Sequence, residues 1–196
     1  VAKVLIQKGA DVNAVETIKE TPLHGAAYGG FADVAKVLIQ NGCDVNAVDE
    51  EKKTALHHAA LNGFADVAKV LIRNGADVNA VEQDEQNALH LAVVGSETSR
   101  RDNIMKMLKE DGHEEQYKQK IGKDGYVNVI TLLLENGCDV NAGAGGRVTI
   151  TAGESTDVTG GQIHKETALH YAVQHKDVRI VKAFLRYSAE LVGSYN

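Results

Sequence analysis

Phe31, Val34, Ala35 and Leu38 stand at i, i+3, i+4 and i+7 and predict one apolar stripe of a helix. Val37 and Ile39 make the rest of that helix apolar, which suits burial on two sides. Asp33 sits in its first turn, where a negative charge complements the helix dipole. A shorter helix precedes it. Thr21 is an N-cap residue and Pro22 is favoured at the first helical position. Leu23-His24-Gly25-Ala26-Ala27 is small-residued and suited to close packing, and Gly29-Gly30 ends it. Asn41-Gly42 stops the second helix, and Asp44-Val45-Asn46 leads into an extended turn.

This pattern repeats. Gly30–Ile39 recurs without change as Gly63–Ile72, an offset of 33 residues, and Thr21, Leu23 and His24 recur at the same offset as Thr54, Leu56 and His57. Gly9–Glu16 recurs as Gly75–Glu82 at twice that offset. A fixed period of this size means stacked copies of one supersecondary unit, none able to bury its apolar surface alone. Growth is then by neighbour contacts and not around a central core.

Thr-Pro-Leu-His, Ala-Ala, an interhelical Gly and Gly-Cys-Asp-Val-Asn-Ala together resemble the ankyrin repeat. The resemblance implies an all-α solenoid of antiparallel helix pairs joined by projecting β-hairpin loops. It divides the chain into a single array: a partial repeat over 1–18, repeats over 19–51 and 52–84, a third over 85–142, and a terminal repeat over 164–196. The third opens at Asn87-Ala88-Leu89-His90 and closes at Gly137–Ala142, 29 residues longer than the period allows, with a helical insertion near 96–124. A Gly- and Thr-rich insertion fills 143–163. The family's usual Gly two residues before the opening Thr is Lys19, Lys52, Glu85 and Lys165 here, a departure that bears on the hairpin tips. The array starts inside a repeat, and Val1, Val4 and Leu5 lack a partner helix, so further repeats are expected upstream.

In the first insertion, Ser99 to Asp102 forms a capping pair ahead of a helix over Ile104–Leu108, and a second helix is expected over Glu114–Ile121. Residues 100–124 mix seven basic with six acidic charges, a solvated surface and not a nucleic-acid patch. Met105 and Met107 offer a partner contact or, the favoured alternative, fold back on the stack. The second insertion alternates through Val148-Thr149-Ile150-Thr151 and Asp157-Val158-Thr159, which reads equally as a β-hairpin finger or an unstructured loop.

The net charge of −6 argues against nucleic acid and anionic membranes, and no apolar run suffices to span a bilayer. Cys43 and Cys138 share a repeat position two repeats apart, about 20 Å at the usual helix spacing. They read as unpaired thiols, suited to a reducing, cytoplasmic compartment.

His24, His57, His90 and His170 recur at one position, where the resemblance implies hydrogen bonds within and between repeats. Equivalent positions about 10 Å apart cannot share a zinc ion. His57 and His58 are adjacent, so their rings diverge, and His113-Glu114-Glu115 lacks the second His of a zincin motif. Gly143–Gly146 lacks the Lys-Ser/Thr of a phosphate loop. The expectation is no catalytic residue, no metal and no cofactor.

The resemblance further implies docking of another protein on the concave face built by the hairpins and first helices. Mapped residue by residue, the helix positions are Tyr28, Gly29, Leu61, Asn62, Val94, Gly95, Gln174 and His175, with Tyr171 as an added aromatic anchor. The hairpin positions are Glu20, Glu50, Glu51, Lys53, Gln83, Asp84, Gln86 and Glu166. Tyr28 and Leu61 form the apolar centre of this set, and the acidic hairpins suit a basic partner. Asn13, Asn46, Asn79 and Asn141 each lie eight residues after a Leu, similar to the ankyrin sequence that asparaginyl hydroxylase modifies. The ordinary role of such an Asn is a turn residue bonding its own backbone. The expected function is a non-catalytic scaffold, monomeric as an isolated segment. The alternatives are a rigid spacer or regulatory arm of a larger enzyme, toxin or channel, or a hydroxylase substrate. Cytoplasmic scaffolds and effectors delivered into a host cell both use this repeat.

Overall fold

A computed structural model describes residues 2–97, 114–121, 124–144 and 166–193. Helix α1 (Ala2–Gln7) is followed by the pairs α2 (Pro22–Tyr28) with α3 (Ala32–Gln40) and α4 (Ala55–Leu61) with α5 (Ala65–Arg73). Next come α6 (Ala88–Gly95), the inserted α7 (Glu114–Ile121) and α8 (Gly125–Glu135), which pairs with α6. Strands β1 (Gly143–Ala144) and β2 (Glu166–Thr167) precede the last pair, α9 (Ala168–Gln174) and α10 (Val178–Gly193). Each first helix packs on the first helix of the next repeat, and each second helix on the next second helix. The result is a helical solenoid.

The core is a periodic file of residues. Leu23, Leu56 and Leu89 from the first helices are buried, as are Leu38, Leu71 and Leu133 from the second. Between them lie Ala26, Ala59, Ala92 and Ala172, whose small side chains let the first helices approach closely. Small residues here are a condition of the stacking, because close-packed interiors tolerate little added volume.

The helix starts carry a polar lock. The Thr54 backbone N–H donates to His57 Nδ1 at 3.0 Å, so Nε2 bears the proton and donates to the Ala80 carbonyl of the following loop at 3.1 Å. His24 repeats the arrangement with Thr21 at 3.1 Å and the Lys53 carbonyl at 3.0 Å. This is a capping box with His in place of Glu or Gln, and its free nitrogen ties one repeat to the next. His90 differs. Its Nδ1 lies 2.7 Å from Asn87 Oδ1 and its Nε2 lies 3.3 Å from the Glu166 carbonyl. Both partners are acceptors, so a neutral imidazole satisfies only one of them.

A second ladder runs along the loops, and it corrects the expectation that the repeated Asn bonds its own backbone. Asn46 Oδ1 accepts from the Asp77 N–H at 2.9 Å, and its Nδ2 donates to the Gly75 carbonyl at 3.1 Å. Asn13 bridges to Asp44 and Gly42 in the same way, and Asn79 to Asp139 and Gly137. The local turn is made instead by the Asp two residues earlier, which accepts from the Asn N–H at 2.9 Å in all four loops. Asn79 bridges to a loop 58 to 60 residues away, so the ladder crosses the first insertion unbroken.

At the hairpin tips Lys19, Lys52 and Glu85 adopt φ of 60°, 61° and 59°. The tight turns persist, with the Lys52 N–H donating to the Asp49 carbonyl at 3.1 Å and Glu85 to Glu82 likewise. Holding a side chain in the left-handed region costs roughly 1 kcal/mol or more, partly offset by the entropy a Gly would lose. Lys52→Gly is therefore expected to stabilise the fold by about 0.5–1 kcal/mol. Urea denaturation followed by circular dichroism checks this, and a lowered midpoint would contradict the strain.

Helix α7 lies back across the interhelical turns of the first two full repeats. Tyr117 meets Phe64 edge to face at 5.7 Å, and Lys120 Nζ donates to the Gly29 carbonyl at 2.7 Å while sitting 3.8 Å above the Phe31 ring. The helix expected over Ile104–Leu108, with Met105 and Met107, lies outside the described residues. At the second insertion β1 and β2 pair antiparallel, Gly143 opposite Thr167 and Ala144 opposite Glu166. The expected finger lies outside the described residues.

Candidate functional site: the hairpin and first-helix face

Consecutive hairpins are joined by backbone hydrogen bonds, Glu50 N–H to the Ile18 carbonyl and Gln83 N–H to the Glu51 carbonyl, both 3.0 Å. The tips therefore form one continuous ribbon beside the row of first helices. Two buried acids that the sequence reading did not single out build this ribbon. Asp49 Oδ1 accepts from the Glu51 and Lys53 N–H groups at 2.9 Å. Glu82 Oε1 does the same for Asp84 at 2.9 Å and Gln86 at 3.2 Å. Their signal in the sequence is an acid at the 33-residue period, Glu16, Asp49 and Glu82, four residues before the hairpin returns.

Glu50, Glu51, Gln83 and Asp84 are exposed along the ribbon, and Glu20, Lys53, Gln86 and Glu166 are half-buried. Lys53 pairs with Glu51, and Glu166 Oε1 accepts from Gln174 Nε2 at 2.9 Å. On the helix side Tyr28 is 65% exposed, with its ring edge to face with His58 at 6.2 Å. Leu61 and Val94 are half-buried and Gln174 is exposed. Tyr171 lies edge to face with His90 at 6.2 Å, and His175 Nδ1 stands 3.6 Å from Glu97 Oε1.

Two of the expected contact residues are buried. Asn62 is buried and its Nδ2 donates to the His58 carbonyl at 3.0 Å, closing its own helix. Gly95 is buried where a Cβ would lie 2.0 Å from the Leu61 carbonyl oxygen. Gly29 is partly covered by the Phe31 ring, which a Cβ would meet at 2.2 Å. Exposed Asn13, Asn46 and Asn79 have both amide atoms engaged in the ladder, and Asn141 is exposed at its end.

Burial lowers the His57 pKa to about 4, against the opposing pull of the Ala80 carbonyl, and lowers His24 and His90 in the same sense. The Asp49 carboxyl is buried, which raises its pKa, but hydrogen bonds from Lys53, His58 and Glu51 outweigh this and leave it lowered. Burial pushes the Cys138 thiol up to about 12, and its Sγ lies 3.2 Å from the Val78 carbonyl. Cys43 is likewise buried and raised, so neither thiol has the depressed pKa of a reactive cysteine.

Family models for ankyrin repeats match residues 1–82, 41–121 and 164–192. The chain belongs to the ankyrin-repeat family. The second match ends before α8, the helix that completes the third repeat beyond the insertion. No curated protein matches the chain. Ankyrin repeats are generally protein–protein interaction modules and typically non-catalytic. No helix among the described residues is long and apolar enough to cross a membrane.

Proposed function

We propose that this ankyrin array is a non-catalytic scaffold that binds a partner protein across the concave face formed by its hairpins and first helices. The observation that carries the reading is Tyr28. It is a large aromatic side chain left 65% exposed at the end of a first helix, its ring against His58 beside the hairpin ribbon. Aromatic residues of this kind supply much of the binding energy at interfaces, because they bury large area at low entropic cost. Leu61, half-buried one repeat further along, extends the apolar centre. The rim is acidic and polar, with Glu50, Glu51, Gln83 and Asp84, which favours a partner carrying basic side chains and gives salt-sensitive association.

The Tyr28→Ala, Leu61→Ala double variant is expected to keep the helical circular-dichroism signal while its affinity for a partner captured from cells falls by at least about tenfold, the equivalent of 1.4 kcal/mol. Affinity equal to wild type would move recognition off this face.

A further inference from the structure

We propose that Glu20, Asp49 and His58 form a binding site for a divalent transition-metal ion, with zinc the best-fitting occupant. The three residues come from three elements, the first hairpin, the second hairpin and helix α4, and their candidate ligand atoms lie within 4.8 Å of one another. Asp49 and His58 are buried and Glu20 is half-buried, so the site has a fixed floor and an open side.

The geometry suits a shared ion. His58 Nε2 and Asp49 Oδ2 are 3.0 Å apart. With bonds of about 2.0–2.1 Å to nitrogen and about 2.0–2.2 Å to oxygen, that separation subtends roughly 90° at a metal. In a tetrahedral zinc site ligand atoms stand about 3.4 Å apart, so Glu20 closes the site with a side-chain movement of up to about 1.5 Å. An imidazole with two carboxylates and open remaining positions is a donor set that zinc and its first-row neighbours accept.

The hairpin does not need these atoms. Asp49 makes its turn with Oδ1 alone, as Glu82 does with Oε1 in the next repeat. Asp49 Oδ2 and His58 are additional to that task. At the helix position of His58 the other repeats carry Gly25, Leu91 and Tyr171, so the repeat architecture does not require a His either. The neighbouring His24 is committed to Thr21 and to the Lys53 carbonyl and is not counted as a ligand. Its ring lies edge to face with His58 at 5.7 Å and helps fix the imidazole plane. On binding, His58 coordinates through Nε2 as a neutral imidazole with its proton on Nδ1, so both carboxylates neutralise the ion's charge.

The test uses the protein alone and is independent of any partner. Chelator-treated protein is titrated with zinc chloride at neutral pH by calorimetry, and with cobalt(II) while the visible absorption is recorded. One zinc per chain is expected at this site, with cobalt absorption of low coordination number. Glu20→Gln and His58→Leu should each weaken uptake by more than about a hundredfold, beyond the roughly 10–100-fold that loss of an outer-shell partner costs. His58→Leu places the residue of the next repeat at this position, and circular dichroism verifies that it folds. No uptake at millimolar zinc overturns the proposal. So does uptake that survives either Glu20→Gln or His58→Leu, since it then belongs to other side chains.

Discussion

Gly95→Ala is expected to destabilise the array by about 3 kcal/mol or more and to split its cooperative unfolding, although the substitution adds one methyl group at the end of a helix. The methyl would lie 2.0 Å from the Leu61 carbonyl oxygen and 2.8 Å from the Tyr126 ring. The obstacle is mainly backbone, so no rotamer change relieves it, and α4 and α6 must separate. Overpacking of this kind commonly costs about 1–3 kcal/mol, more where the neighbour cannot yield. The contact lies at the junction of the second and third repeats, and in a solenoid the stability of distant repeats is transmitted only through such junctions. Thermal unfolding followed by far-ultraviolet circular dichroism should show a midpoint lowered by about 10 °C, with an early phase. A wild-type melting curve would mean that the two helices have slack at this point.

Acid is the second lever. The folded pKa of His57 is about 4, against 6.5 for the unfolded side chain, because burial disfavours the imidazolium. The unfolded chain therefore takes up the proton first. Stability from this group is fully present above about pH 6.5 and is lost as pH falls from 6.5 to about 4. The shift corresponds to about 3 kcal/mol for this one residue. His24 and His90 are lowered for the same reason and add in the same direction. Asp49, also lowered, contributes above the ordinary carboxylate range and loses its contribution at still lower pH. Urea midpoints at pH values spanning this window should fall steeply in the wild type. His57→Gln should be less stable near neutrality yet show a shallower fall. Parallel pH profiles would assign the acid sensitivity elsewhere.

Most of the fold was legible because its determinants are local and periodic. The apolar stripes, the capping Thr residues and the terminating Gly residues are each set within one repeat, and the 33-residue offset then implies stacking. The recurring His was legible as a lock between repeats, although only the structure supplies its tautomer. Side-chain direction was less legible. The Asn of each Asp-Val-Asn loop looked self-satisfying, but a neighbouring loop offers both a donor and an acceptor at the right height, and that pairing wins. Lys19, Lys52 and Glu85 departed from the family's usual Gly, and the hairpin hydrogen bonds hold them at positive φ. Burial along the candidate face was not legible from repeat position. Gly95 and Asn62 share the repeat position of exposed His175, yet both are buried. His58 read as a diverging neighbour of His57, and the carboxylates it meets are 9 and 38 residues away in the chain.

The sequence by itself determined an ankyrin-repeat solenoid, the register of its helices and the rows of hairpin and first-helix positions. Its information is periodic, and a period specifies what every repeat has in common. Tertiary structure decided what differs between repeats: that α7 lies across the turns at Phe31 and Phe64, that Gly95 must have no side chain, and that Glu20, Asp49 and His58 converge. Those outcomes depend on side chains from different repeats competing for one volume, and no single repeat contains that competition.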